Sequence, residues 1–274
     1  MTPNPPLRWR PSPLIWITVA VHSGALLLVV ISPHEWHWAL GAVLIDHALF
    51  TTAGLWPRSA WLGPNWTRLP ASAASRNEIA LTIDDGPDPE VTPRVLDLLD
   101  LHGVKATFFC IGERAARHPD VCRMIVSRGH EVENHSQHHF HHFSIMGPRS
   151  LRREVQAAQE TLASITGRTP RFFRAPAGLR NLFLEPVLAK LGLRLAAWTR
   201  RGFDTRSGNP DAMYRRLVRG LKPGAILLMH DSNCALAASG EPVILALLPR
   251  LIEAASQAGL RFVTLSSTLG DHRS

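Results

Sequence analysis

Ala80-Leu81-Thr82-Ile83-Asp84-Asp85-Gly86-Pro87 is an apolar, β-branched run that stops on two acids and a Gly-Pro bend. Side chains alternate along a strand, so adjacent carboxylates at its end point to opposite sides. Where such a strand enters a pocket, one acid can bind a metal while the other faces a substrate. Further along, Asn134-His135-Ser136-Gln137-His138-His139 closes a second strand-like run. His135 and His139 are four residues apart, and one helical turn or a tight loop brings both imidazoles together. One Asp with two His leaves coordination positions open for water, the arrangement of a catalytic rather than a structural metal site. Each feature alone says less: Asp-Gly-Pro punctuates ordinary turns, and a His-rich run can be a surface cluster. Together, each at the end of a strand-like run, they read as a metal-dependent hydrolase.

Working outward, strand-like runs occur at 78–84, 106–111, 130–134, 172–176, 193–199, 225–229 and 261–265. Helical patterns lie between most of them, at 89–102, 115–127, 150–165, 182–191, 210–220 and 242–258. Such alternation predicts α/β architecture, with βα units around a parallel sheet. About 200 residues can bury a substantial core without disulfides or a structural metal. The expected division is an apolar N-terminal region over 1–56, a Pro-containing linker over 57–75, and a catalytic domain over 76–274.

Thr82-Ile83-Asp84-Asp85-Gly86 closely resembles the first motif of the polysaccharide deacetylases of the NodB-homology type, carbohydrate esterase family 4. Asn134-His135-Ser136-Gln137-His138-His139 looks like their second motif, and Arg174-Ala175-Pro176-Ala177-Gly178 like their third. Trp198 with Asp204 resembles the fourth, and Leu228-Met229-His230 the fifth. All five occur in order within 76–266. The resemblance implies a distorted, incomplete (β/α)7 barrel with its active site at the carboxyl ends of the strands. It implies that Asp85, His135 and His139 hold one divalent metal ion, most often Zn2+. Asp84 would be the general base, paired with Arg174, and His230 the general acid, oriented and charged by Asp204. Pro176, Ala177, Gly178, Trp198 and Leu228 would shape the substrate site, with a backbone N–H near Ala177 at the oxyanion. The implied reaction is hydrolysis of the N-acyl amide of an amino sugar.

Departures from the family pattern bear on the substrate. Ala177 stands where an aromatic residue is usual, Thr205 follows Asp204 in place of Trp, and Phe140 follows His139 in place of Pro. The His138-His139 pair and the Asp204-Thr205-Arg206 stretch also resemble deformylases of lipid-linked aminoarabinose. A short or lipid-linked glycan is therefore expected ahead of a chitin-like or peptidoglycan polymer. A catalytically silent carbohydrate-binding protein is the further alternative. Acetyl and formyl groups both remain open.

Residues 14–31 contain no Asp, Glu, Lys or Arg, enough at about 1.5 Å per residue to nearly span a hydrocarbon core. A second apolar run, 36–56, starts almost at once and carries Asp46-His47, costly in lipid unless partnered. The expectation is a two-helix hairpin in a bacterial-type inner membrane; a single anchor or two buried helices are the alternatives. Arg8 and Arg10 precede the first run, while Arg58 and Arg68 follow the second. With both runs spanning, the positive-inside tendency puts the catalytic domain on the cytoplasmic face; with one, it faces outward.

Net charge is +8. A basic domain beside a membrane suits anionic lipid headgroups or a phosphate-bearing substrate, and Arg180, Arg200, Arg201 and Arg206 sit beside proposed catalytic segments. No nucleic-acid-binding motif accompanies the basic balance, so nucleic acid is not an expected partner. Cys110, Cys122 and Cys234 have no pair-like or metal spacing; Cys110, ending a strand, and Cys122, on a helix, are read as core residues. His138, His141 and His142 are read as neighbours of the metal ligands or as surface residues rather than as ligands.

Overall fold

The structure, a computed structural model, describes residues 4–272. In chain order its elements are α1 (Pro13–Ile31), α2 (Trp36–Leu55), α3 (Ala71–Ser75), β1 (Glu78–Asp84), α4 (Val91–Leu101), β2 (Thr107–Cys110), α5 (Gly112–Arg117), α6 (Pro119–Ser127) and β3 (Glu131–Asn134). There follow α7 (Pro148–Thr166), β4 (Phe172–Phe173), α8 (Leu184–Lys190), β5 (Arg194–Leu195), β6 (Arg200–Arg201), α9 (Pro210–Val218), β7 (Ile226–His230), α10 (Val243–Gln257) and β8 (Arg261–Phe262). The strands pair in parallel in the order β5-β4-β3-β2-β1-β7-β6, with β8 added to β1. The sheet curls into the expected distorted, incomplete (β/α)7 barrel.

Strand β1 is buried along its whole length, as a central parallel strand covered on both faces must be. Ile79, Leu81 and Ile83 join Val95, Leu99, Leu227 and Leu247 in the layer between sheet and helices. The alternate residue Ala80 faces the barrel interior with Phe109, Phe172, Trp198 and Leu228. Thr82 and Asp84 follow on that inner face, where both reach the same buried guanidinium. Period-two alternation thus puts a hydrophobic wall outside and a polar ladder inside. Each fully buried Ile or Leu of that wall contributes roughly 1.5–3 kcal/mol.

The elements differ from the sequence expectation in places with clear causes. The 115–127 helix is two helices, α5 and α6, parted at His118, which leaves helical geometry just before Pro119. The 172–176 strand stops at Phe173, because Pro176 opens a short 3-10 turn. The 193–199 run is interrupted: Ala196 bridges to Trp66 instead of continuing β5, and Arg200–Arg201 forms a separate strand on β7. Segment 57–75 carries α3 and lies against the barrel, with Trp66 bridging Ala196 and Arg68 bridging Ala225.

Helices α1 and α2 pack together as a hairpin. Both are long and apolar enough to cross a membrane, and only 6% of the most apolar stretch of α1 is buried. Trp16, Leu26 and Val30 of α1 and Leu44 and Ile45 of α2 are exposed large apolar side chains. The barrel-proximal end of α2 docks on the loop after β4. Arg180 N donates to Gly54 O at 3.1 Å, and the Arg180 guanidinium reaches Ser59 O.

Candidate active site

Strand register brings the motifs to one rim. Asp84 pairs with His230 across β1 and β7, Cys110 pairs with Asn134, and Asn134 pairs with Phe173. The residues at or just past these positions are Asp85, His135, Arg174 and His230. The chain must turn sharply at this rim. Among the described residues, seven non-glycine residues have positive φ, and six lie here: Asp85, Ser136, His139, Ala177, Phe203 and Asn233. Left-handed backbone costs an ordinary residue about 1–3 kcal/mol and gathers where function fixes geometry. Gly86 answers to space: an added Cβ would lie 2.6 Å from Asp231 Oδ2.

A tight loop, not a helical turn, brings the two histidines together. Asn134 Oδ1 accepts from Ser136 N at 2.9 Å, and Ser136 Oγ accepts from His139 N at 3.0 Å. His135 Nε2 lies 3.3 Å and His139 Nε2 3.4 Å from Asp85 Oδ1. An ion bound at about 2.0–2.1 Å to each donor of a tetrahedron holds neighbouring donors about 3.3–3.4 Å apart, so the set fits a divalent ion. His135 Nδ1 donates to Arg174 O at 2.8 Å, which turns the Nε2 lone pair toward Asp85. Burial alone would raise the Asp85 carboxyl. The hydrogen bond and charge of His135, with His230 and His139 behind it, outweigh burial and hold Asp85 well below the usual carboxylate range. Burial and the His135 charge push His139 down to about 4, keeping it in the neutral, ligating form.

Beside this set stands Asp84, 3% exposed. Its Oδ1 accepts from Arg174 Nη1 at 2.6 Å. Arg174 is 1% exposed and donates also to Thr82 Oγ1, Ala196 O and Ala197 O, with its guanidinium 4.1 Å from the Phe109 ring centre. Across the site, His230 Nδ1 bonds Asp204 Oδ1 at 2.9 Å, and His230 N donates to Asp204 Oδ2 at 2.7 Å. Burial opposes charge on His230. The Asp204 hydrogen bond and charge, with Asp84 and Asp85, overcome it and raise His230 to about 9. His230 is thus an acid with its proton in place at neutral pH, and Nε2 is the ring nitrogen left free.

The other expected site residues are placed unevenly. Ala177 is exposed at φ 54°, while Pro176 and Gly178 are buried, Gly178 wedged so that a Cβ would meet Pro57 and Trp198 at 2.6 Å. Trp198 is 6% exposed; Leu228 is 1% exposed, on the inner face two residues before His230, and does not reach the opening. His138 turns away to Glu154 Oε1 at 2.7 Å, and His141 and His142 are exposed. The sequence reading missed three neighbours of Asp85. Asn233 Nδ2 donates to Asp85 Oδ2 at 3.1 Å, and Arg114 Nη1 to Asp85 O at 3.0 Å. Asp231 is fully buried, accepts from Thr92 Oγ1 at 2.5 Å, and burial raises its carboxyl to about 7. The polar run Asp231-Ser232-Asn233 directly after an apolar strand was the available signal.

The polysaccharide deacetylase profile matches residues 71–196. A peptidoglycan-N-acetylglucosamine deacetylase of Bacillus cereus is 30% identical over 217 residues, covering 77% of this chain and 76% of that protein. A chitooligosaccharide deacetylase of Bradyrhizobium sp. is 38% identical over 154 residues, covering 56% of this chain and 70% of that protein. A family 4 carbohydrate esterase from Streptomyces lividans, solved in complex with acetate, superimposes with a TM-score of 0.63 at 33% identity, over 70% of this chain and 95% of that one. The Asp-His-His set and these likenesses together make this a metal-dependent hydrolase with an amino-sugar deacetylase fold. Five motifs, one barrel and one rim of acids and histidines lead to the same conclusion: the chain belongs to the polysaccharide deacetylase family.

Proposed function

We propose that the protein removes the N-acyl group of an amino sugar, with Asp84 as general base and His230 as general acid flanking the Asp85–His135–His139 metal set. The observation that supports this reading is the Asp84–His230 register across β1 and β7, at the rim that also carries the Asp85–His135–His139 cluster. Two imidazoles and a carboxylate at these separations suit Zn2+. When bound there, the ion supplies Lewis acidity, easing deprotonation of water and polarising the amide carbonyl. Asp84 accepts the water proton, and Arg174 holds its carboxylate in place. His230 delivers a proton to the amide nitrogen before the C–N bond breaks, and Asp204 stabilises the imidazolium. Ala177, exposed on the rim, offers its backbone rather than a ring to the substrate.

The substrate proposed is a short or lipid-linked N-acyl amino sugar, approached from a membrane spanned by α1 and α2, with the barrel on the cytoplasmic face. The exposed apolar skin of both helices supports the hairpin. A cleft of about 330 Å3 between the end of α2 and the fourth motif supports an anionic group on the substrate. Trp56, Arg58, Trp198, Arg201 and Phe203 line it. Arg201 stacks 4.2 Å over Phe203, and its Nε is buried without an acceptor. On this reading residues 1–56 are the anchor, 57–75 the joint to the barrel, and 76–274 the catalytic domain. The names of the relatives favour a second reading, an anchored deacetylase of chitooligosaccharide or peptidoglycan. Mass-resolved turnover by the full-length, Zn2+-loaded protein in detergent separates the two. The panel is polyprenyl-phosphate-linked N-acyl sugars beside soluble chitooligosaccharides and peptidoglycan fragments. Deacylation of the lipid-linked sugars alone is expected; deacylation of the soluble glycans alone would replace the first reading with the second.

A further inference from the structure

The hairpin carries a second Asp-His-His cluster. Thr18 and His22 lie one turn apart on α1, while Asp46 and His47 are neighbours on α2. Asp46 is 2% exposed, yet neither helix contains a Lys or Arg to pair with it. A carboxylate among apolar helices is costly without a compensating partner, and such a residue in a span marks a functional position. The Thr18 hydroxyl donates to Asp46, 2.8 Å from Oδ1 and 3.0 Å from Oδ2. That bond orients the carboxylate but supplies no charge.

His22 Nδ1 lies 2.9 Å from Thr18 O and 3.9 Å from Asp46 Oδ2, so it is the nitrogen that faces the carboxylate. The His22 and His47 rings are stacked with centroids 5.3 Å apart. One donor atom from each of His22, Asp46 and His47 lies within 4.8 Å of the others, the bound that also holds Asp85, His135 and His139. A cavity of about 560 Å3 opens beside the cluster, walled by Thr18, His22, His47, Phe50 and Leu182. It gives an ion a route in and room for a water as fourth ligand. Leu182 belongs to the loop after β4 on which α2 docks.

We propose that His22, Asp46 and His47 form a second divalent-metal site that ties α1 to α2. The donor set suits Zn2+ or Ni2+ rather than Mg2+ or Ca2+, which take oxygen ligands. The ion balances the Asp46 charge and fixes the hairpin whose end holds Gly54 against Arg180. The competing account is a plain hydrogen-bonded clasp, Thr18 to Asp46, with no ion.

The test is metal stoichiometry in the full-length protein, purified in detergent, stripped with chelator and dialysed against Zn2+, alongside the visible absorption spectrum after Co2+ substitution. The wild type is expected to hold two ions per chain. Asp85→Asn with His135→Ala should leave one, His22→Ala with His47→Ala should leave one, and all four changes together should leave none. Asp46→Asn keeps the shape and the Thr18 contact, and should weaken only the hairpin ion, by about tenfold or more. Retention of the barrel ion by the hairpin variants reports that they are folded. A wild type with one ion, lost with Asp85→Asn/His135→Ala and unaffected by the hairpin changes, would overturn the proposal in favour of the clasp.

Discussion

At the scale of single residues, one buried guanidinium and one buried carboxylate organise the chemistry. Arg174 places four donated hydrogen bonds inside the barrel, one of them to Asp84. Its replacement by Met would leave the Asp84 carboxylate buried without its counter-charge, a loss of about 3–5 kcal/mol readable by denaturant unfolding. Both carboxylate oxygens of Asp204 bond His230. A pKa raised to about 9 means that His230 favours the folded state fully below its ordinary value near 6.5, and that this contribution fades as pH rises through about 9. In the proposed role this is the proton the leaving nitrogen needs, so turnover should fall on the alkaline side near pH 9. Asp204→Asn should move that limb down toward the ordinary histidine range, which a pH–rate profile would show; an unmoved limb would remove Asp204 from this role. Asp84, Asp85, His135 and His139 stand out in the sequence by residue type and spacing, whereas His230 is reached only through the resemblance of Leu228-Met229-His230 to the fifth motif. Arg114 carries no such local signal, and Asn233, 148 positions from Asp85 in the chain, is marked only by the polar run that follows β7.

At the scale of elements, the sheet was legible wherever apolar β-branched runs alternate with helical ones. β1, β2, β3 and β7 lie within the expected ranges to within a residue, while β4 and β5 are cut short by Pro176 and by the Trp66 bridge at Ala196. That bridge is a long-range pairing with no local sequence signal. The docking of α2 on the loop after β4 depends on absence of a side chain. A Cβ on Gly54 would sit 2.3 Å from Arg180 O. Gly54→Ala should therefore loosen the hairpin from the barrel, speeding proteolytic cleavage within 57–70 while the metal content of the barrel stays unchanged. Equal cleavage rates in variant and wild type would show that the contact carries no docking energy.

At the scale of the whole molecule, the proposed membrane hairpin fixes which face of the membrane the barrel occupies. If both helices span, the turn at Ser32 and the barrel lie on opposite faces. In a background carrying Cys234→Ser, a membrane-impermeant maleimide should label Ser32→Cys in intact cells, and Ser239→Cys only after permeabilisation. The reverse pattern would turn the barrel outward and favour the polymer substrates. Chelation should abolish turnover and Zn2+ restore it. The most direct test of the account is Asp84→Asn, assayed for released carboxylate and for bound metal in the same sample. Loss of the base should cost about 10²–10⁴-fold in kcat with metal content unchanged. An Asp84→Asn protein that keeps its metal and hydrolyses the amide at the wild-type rate would contradict the assignment.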